Sequence, residues 1–247
     1  MSSKLIKLFA FIASLQLIFA LCVYLFLSDN NPILHAVFGM GLGLFIFWII
    51  LFGIITYKFR DGIKKFVLAI PLNWQAKFVI FCTIMALLEE VVTTTMTNLA
   101  PWFGVRVGEA YITASTNYLD VVLGHSVILF VPVFIAWAAL LSYYDFSPNE
   151  VFLLFGLTGT FGEMIYGGPQ HFFEIGMWMF TYGLMIYLPA YSVPQNRKVK
   201  KLRFYHYLLP FIYAVIFQII LVPIVPLIKH FRPSVNSSFP PIVDQTK

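Results

Sequence analysis

Residues 77–103 read KFVIFCTIMALLEEVVTTTMTNLAPWF. From Phe78 to Leu88 every residue except Thr83 is apolar, and the run resumes after Glu89 and Glu90 with valines and a threonine-rich stretch. At about 1.5 Å per helical residue, the segment is long enough to cross a hydrocarbon core of about 30 Å. Two adjacent carboxylates therefore fall inside a candidate membrane span. A charge in hydrocarbon costs several kcal/mol unless it faces protein, water or a partner, which makes this pair the strongest functional clue in the chain.

The rest of the chain supports the membrane reading. Of 247 residues, 60% are hydrophobic and 11% charged, with 27 Phe and a mean hydropathy of +0.85, far from the balance of a soluble domain. Apolar stretches at 7–27, 34–57, 76–98, 119–143, 149–166, 171–190 and 205–228 predict an all-α, polytopic protein of about seven transmembrane helices. Little chain remains for a soluble domain, so residues 1–247 read as one membrane domain. The first stretch exceeds an ordinary signal-peptide core and reads as a retained span. The SPNE segment predicts a sharp helix start, with Ser147 as cap, Pro148 in the first position and Glu150 closing a capping box. Cys22 and Cys82 sit inside apolar runs without metal or redox spacing.

Basic residues set the expected orientation. With a cytoplasmic N-terminus, twelve of the sixteen Lys and Arg, from Lys4 and Lys7 through KFRDGIKK and NRKVKKLR, fall on the inner side. Arg106, Lys229, Arg232 and Lys247 fall on the other. The clusters flank spans as anchors near anionic lipid and lack the pattern of a nucleic-acid surface. A multi-pass protein of the cell membrane follows, with membrane lipids as partners, no nucleic acid, and oligomeric state open.

Depth along the spans then places the polar side chains. Glu89 and Glu90 fall roughly 20 Å from the inner start of the third span. Asp120 lies near the outer rim of the fourth span as its cap, with His125 about 8 Å deeper. Glu163 closes the fifth span, and His171 and Glu174 open the sixth with the three-residue spacing of one helical face. Between them, FGEMIYGGPQHFFE permits a broken or re-entrant segment at 163–174, because glycine adopts unusual dihedrals and proline removes a donor. Glu89 shares a face with Thr93 and Thr97, and Glu90 with Thr94. The outer connection 99–118 is long enough to cover a cavity, with Arg106 available for an anionic group.

Two chemistries fit these groups. Glu89, Glu90, His125 and Glu163 are the candidate catalytic residues, a buried carboxyl group being suited to general acid–base work. Glu90, His125, His171 and Glu174 are the candidate ligands of a divalent metal such as zinc or iron, which would activate water. The doublet in ALLEEVVTTTMT, with His125 and His171 on later spans, resembles the CAAX-type intramembrane protease family, whose helical core carries a glutamate doublet and later histidines. That resemblance touches about three residues and implies hydrolysis within the membrane. The arginine that follows the family's doublet is absent, and neither histidine sits in the family's motif.

The leading expectation is a membrane-embedded hydrolase or group transferase acting on a lipid or membrane peptide at an outward-facing Glu/His centre. A proton- or cation-coupled transporter or channel, and a non-catalytic scaffold, are the alternatives. No lysine lies within the seventh span before Lys229 to form a retinal Schiff base, and no Walker A or dinucleotide fingerprint occurs.

Overall fold

The computed structural model describes residues 2–27 and 30–221, and its regular structure there is helical. Helix α1 (Ser2–Cys22) continues into a wide π turn, Val23–Leu27. Helix α2 (Pro32–Leu44) starts at Asn31, whose side chain accepts the Leu34 N–H at 3.0 Å. It runs through a π segment, Phe45–Phe52, into α3 (Gly53–Ala69), so that Pro32–Ala69 is one helix of 38 residues. The KFRDGIKK segment, read from sequence as a loop anchor, is thus helical. Nothing in it except Gly62 opposes helix, and the stop comes at Ile70, which the following Pro71 holds extended at φ −64°, ψ 130°.

Helix α4 (Trp74–Asn98) is capped by Asn73, which accepts the Ala76 N–H at 2.7 Å. A short α5 (Tyr118–Val121), a π turn (Val122–Ser126) and α6 (Val127–Tyr143) follow. The expected single span 119–143 is bent by 48° between Tyr118–Gly124 and Leu129–Tyr143. Helices α7 (Pro148–Tyr166), α8 (Ile175–Tyr191) and α9 (Leu209–Leu221) complete the described chain. The capping box expected at SPNE is present: Glu150 N–H donates to Ser147 Oγ at 3.3 Å and Ser147 N–H to Glu150 Oε2 at 2.8 Å. The cap of the fourth segment is Asn117, which accepts the Leu119 N–H at 3.0 Å, and Asp120 occupies the first turn instead. The part of the seventh expected span beyond Leu221, with Pro223 and Pro226, lies outside the described residues.

Among the described residues, three helices are long and apolar enough to cross a membrane: Ser2–Phe26, Pro32–Ala69 and Trp74–Asn98. The bent pair makes a fourth if it counts as one span. The chain is an all-α membrane protein. Its helices pack around α8, whose Met185 and Ile186 meet Trp48, Phe134, Trp137 and Phe155 in the main apolar cluster.

Between lipid-bathed helices, tight van der Waals contact takes over from the hydrophobic effect as the source of association, and small residues permit it. A methyl group on Gly156 would lie 2.5 Å from the Met179 carbonyl oxygen, and one on Gly159 2.8 Å from Tyr182 Cβ. Gly183 lies equally close to the Phe152 ring. The α7–α8 pair therefore approaches at distances that only glycine allows. Helix α1 closes on the same pair: Gly176 meets Ala13, and the Gln16 amide donates to Phe173 O at 2.6 Å and accepts the Met177 N–H at 2.9 Å. Gln16 thereby satisfies a free N–H in the first turn of α8.

Two outcomes follow for the protein in detergent. Gly156→Leu separates α7 from α8 and costs roughly 1–3 kcal/mol of stability. Gln16→Leu leaves the Met177 N–H without its acceptor and costs about 1–2 kcal/mol. Both are read as lowered melting temperatures, and an unchanged melt for either removes the corresponding contact from the account of the fold.

Candidate functional site

Glu89 and Glu90 lie on the side of α4 that faces the bundle, and each is only 5% exposed. The threonines that follow them explain how carboxylates are accommodated there. Thr93 Oγ1 donates to Glu90 Oε2 at 3.1 Å and Thr113 Oγ1 at 3.4 Å. The sequence reading paired Glu90 with Thr94; the structure pairs it with Thr93, because the three-residue spacing brings that hydroxyl onto the carboxylate. Thr94 Oγ1 is buried without a hydrogen-bond partner among the described residues.

The connection after α4 lies against this region. Ala110, Thr113 and Ala114 are buried, the Ile112 N–H donates to Thr97 Oγ1 at 3.4 Å, and Asn98 Nδ2 donates to Thr116 O at 2.8 Å. Tyr118 OH reaches Leu87 O at 3.1 Å. The loop therefore covers the Glu90 side of α4. Arg106 is not reserved for an anion: its guanidinium pairs with Glu109 at 2.9 Å. The Arg106 backbone N–H, with the guanidinium, holds the Glu109 carboxyl below its ordinary range.

On the facing helices, Glu163 sits in the last turns of α7 and accepts a hydrogen bond from Tyr182 OH on α8. Gly167 and Gly168 end α7; Gly168 has φ +105°, a conformation open to glycine, and Pro169–Glu174 forms a 3-10 turn leading into α8. This turn holds His171 Nδ1 2.7 Å from Glu174 Oε2, which also accepts the Trp178 indole N–H at 2.8 Å. In that link, the hydrogen bond to Glu174 raises the His171 pKa above its ordinary value, and partial burial opposes the shift. The side chains of His171, Glu174, Trp178 and Tyr182 form a line from the partly exposed link to the buried Glu163.

Glu89, Glu90 and Glu163 lie within electrostatic range of Tyr182, and Glu163 within range of His171 and Glu174. The structure thus brings five of the six expected residues to one end of the bundle. The sixth, His125, lies on the π turn Val122–Ser126, and its side chain is outside the described residues. Of the expected metal ligands, His171 and Glu174 meet, while Glu90 is engaged with Thr93 and Thr113. Among the described residues, no group of three or more His, Cys, Asp or Glu side chains is placed to hold a metal ion.

Tyr182, Trp178 and Thr113 were missed from sequence. For the first two a signal existed: His171, Glu174, Trp178 and Tyr182 follow one another at three- and four-residue spacing, the mark of a single helical face. No such signal existed for Thr113, which reaches Glu90 only through the fold of the loop.

No family model, curated protein or solved structure matches the chain.

Two measurements check this arrangement. Tyr182→Phe removes the donor to Glu163 and lowers stability by roughly 1–3 kcal/mol in detergent. The His171–Glu174 pair contributes stability that is full below the ordinary imidazole pKa of about 6.5 and fades as pH rises through the raised value. The melting difference between wild type and His171→Gln should therefore shrink on the alkaline side, and a difference independent of pH removes the pair's charge from the explanation.

Proposed function

We propose that the chain is a multi-pass protein of the cell membrane with seven membrane helices and a cytoplasmic N-terminus. Its carboxylate end is the acid–base centre of a membrane-embedded hydrolase or group transferase acting on a lipid or membrane peptide. The observation that carries the reading is the one-sidedness of the polar line. It runs from the half-exposed Glu174 through Tyr182 to Glu163, Glu89 and Glu90, and Tyr182 packs in the apolar cluster of Phe134, Trp137, Phe155 and Met185. Water and protons can enter such a centre from one face, while a substrate dissolved in the bilayer reaches it from the side.

A carboxylate of the Glu89–Glu90 pair takes a proton from water as its oxygen attacks the scissile carbonyl carbon. In this reading Tyr182 turns its hydroxyl from Glu163 to the developing oxyanion and donates its one proton there. The proton then passes to the leaving oxygen or nitrogen as its bond to carbon breaks. In a group transferase, an acceptor hydroxyl takes the place of water.

The orientation reading is supported by the charge distribution. Lys58, Arg60, Lys64 and Lys65 on α3 share an end of the bundle with Arg197, Lys200 and Arg203, as the contacts of Tyr191 with Asp61, Arg197 with Trp74 and Lys77 with Ile70 connect them. The carboxylates of Glu89, Glu90, Glu163 and Glu174 occupy the opposite end. Helices α7 and α8, with 19 and 17 residues, extend about 26–29 Å, close to the thickness of a hydrocarbon core.

A proton- or cation-coupled transporter is the second reading, favoured by the same buried carboxylates. It requires a continuing polar route toward the basic end through that apolar cluster.

The experiment compares wild type with Glu89→Gln, Glu90→Gln and Glu163→Gln in liposomes made from a total membrane lipid extract, with products followed by mass spectrometry. Turnover should fall by about 100-fold or more in the carboxylate variants while their melts stay intact. Product formation unaffected by all three substitutions defeats the enzyme reading. A carboxylate-dependent proton flux without product establishes transport in its place. For orientation, in a Cys22→Ser, Cys82→Ser background, a cysteine at Gly108 should react with an impermeant reagent applied to intact cells and one at Lys65 should not.

A further inference from the structure

The chemistry proposed for the carboxylate end leaves the basic end without a role beyond orientation. We infer that the face of α3 bearing Arg60 and Lys64, framed by Tyr57 and Tyr191, binds the phosphate headgroup of an anionic membrane lipid. This inference is independent of what the carboxylates do.

The two cations are held, not loose. The Arg60 guanidinium lies 4.1 Å from the Tyr57 ring centroid and 5.3 Å from that of Tyr191, and Lys64 Nζ lies 4.8 Å from Tyr191. Tyr191 is itself fixed at the end of α8, donating its hydroxyl to Asp61 Oδ1 at 2.6 Å and stacking on Tyr187. Rings placed against the cations take up their apolar surfaces, and the Tyr57 and Tyr187 hydroxyls engage only some of the five guanidinium N–H groups of Arg60. The nearby carboxylate, Asp61, is engaged by the tyrosine. Among the described residues the ion pairs are Arg106–Glu109 and His171–Glu174, so neither Arg60 nor Lys64 has a carboxylate partner. A guanidinium fork beside an ammonium group suits the oxygens of a phosphate.

The surroundings select a lipid over a soluble anion. The helix Pro32–Ala69 extends about 57 Å, well beyond a hydrocarbon core of about 30 Å, so its final turns reach the headgroup layer. There the bases alternate with exposed apolar side chains: Phe59 is 57% and Phe66 71% exposed. Basic residues interleaved with aromatic ones on a helix leaving the bilayer are suited to the boundary between acyl chains and anionic headgroups. A soluble phosphate would use the cations and leave the apolar side chains in water.

The test uses the full chain purified in a neutral detergent and titrated with phosphatidylglycerol or phosphatidylcholine, with bound lipid counted by native mass spectrometry. Wild type should prefer phosphatidylglycerol by on the order of tenfold. The pair Arg60→Gln, Lys64→Gln should lose that preference, and the pair Lys4→Gln, Lys7→Gln, which removes the same charge from α1, should keep it. Equal binding by wild type and the first pair overturns the assignment. So does equal loss in both pairs, which would mean attraction to diffuse charge, and so does displacement of the lipid by millimolar inorganic phosphate, which would make a soluble anion the ligand. If the first pair melts below wild type, the exchange Arg60→Lys, Lys64→Arg decides: it keeps both charges and should retain the preference, and its loss in a folded exchange variant also overturns the site.

Discussion

The close approach of α7 to α8 sets the position of almost everything else that is polar in this protein. Gly156 and Gly159 let the backbone of α7 come against Met179 and Tyr182, and the same proximity places the Glu163 carboxyl within reach of the Tyr182 hydroxyl. Without the glycines the two groups would be separated by a side-chain layer, and a carboxyl group between apolar helices would have lost its donor. Gln16 then holds the start of α8 from α1, keeping the 169–174 turn and its His171–Glu174–Trp178 contacts in register with the helix below. Packing and polar satisfaction are one problem here, and small residues solve both.

Polar groups gather at two ends and are managed differently at each. At the carboxylate end they are enclosed, with Thr93 and Thr113 serving Glu90 and a folded loop laid over them. At the basic end they are spread along surfaces and satisfied by backbone. Lys77, although buried, donates to the carbonyls of Leu68 and Ile70 at the close of α3, where the negative end of the helix dipole favours a cation. Lys77 entered the sequence reading only as one of the inner-side bases; in the structure it is a clasp between two successive helices.

Much of the helical framework was legible in the sequence because apolar run length and capping chemistry are local. The start of α7 at Ser147–Pro148 and the close of α4 near Asn98 needed no knowledge of the fold. What local signals could not supply was the phase of one helix against another. The pairing of Glu163 with Tyr182, the Gln16 contact with α8 and the burial of Thr113 join residues far apart in the chain, and nothing in their immediate neighbours announces them. The continuation of α3 to Ala69 was missed for another reason: its basic composition marks where a membrane ends, which is a separate matter from where a helix ends.

The π segment Phe45–Phe52 gives the long helix a point of tolerance. Gly53 N–H bonds to the carbonyl of Trp48, five residues back, so the backbone carries surplus length at this point. A deletion of one residue within 45–52 can be absorbed by tightening to ordinary α geometry, leaving the two flanks in phase. The same deletion between Gly53 and Arg60 would turn one flank by about 100° against the other and carry Arg60 and Lys64 away from Tyr191. Length variation in this helix is therefore confined by geometry to its wide middle turns.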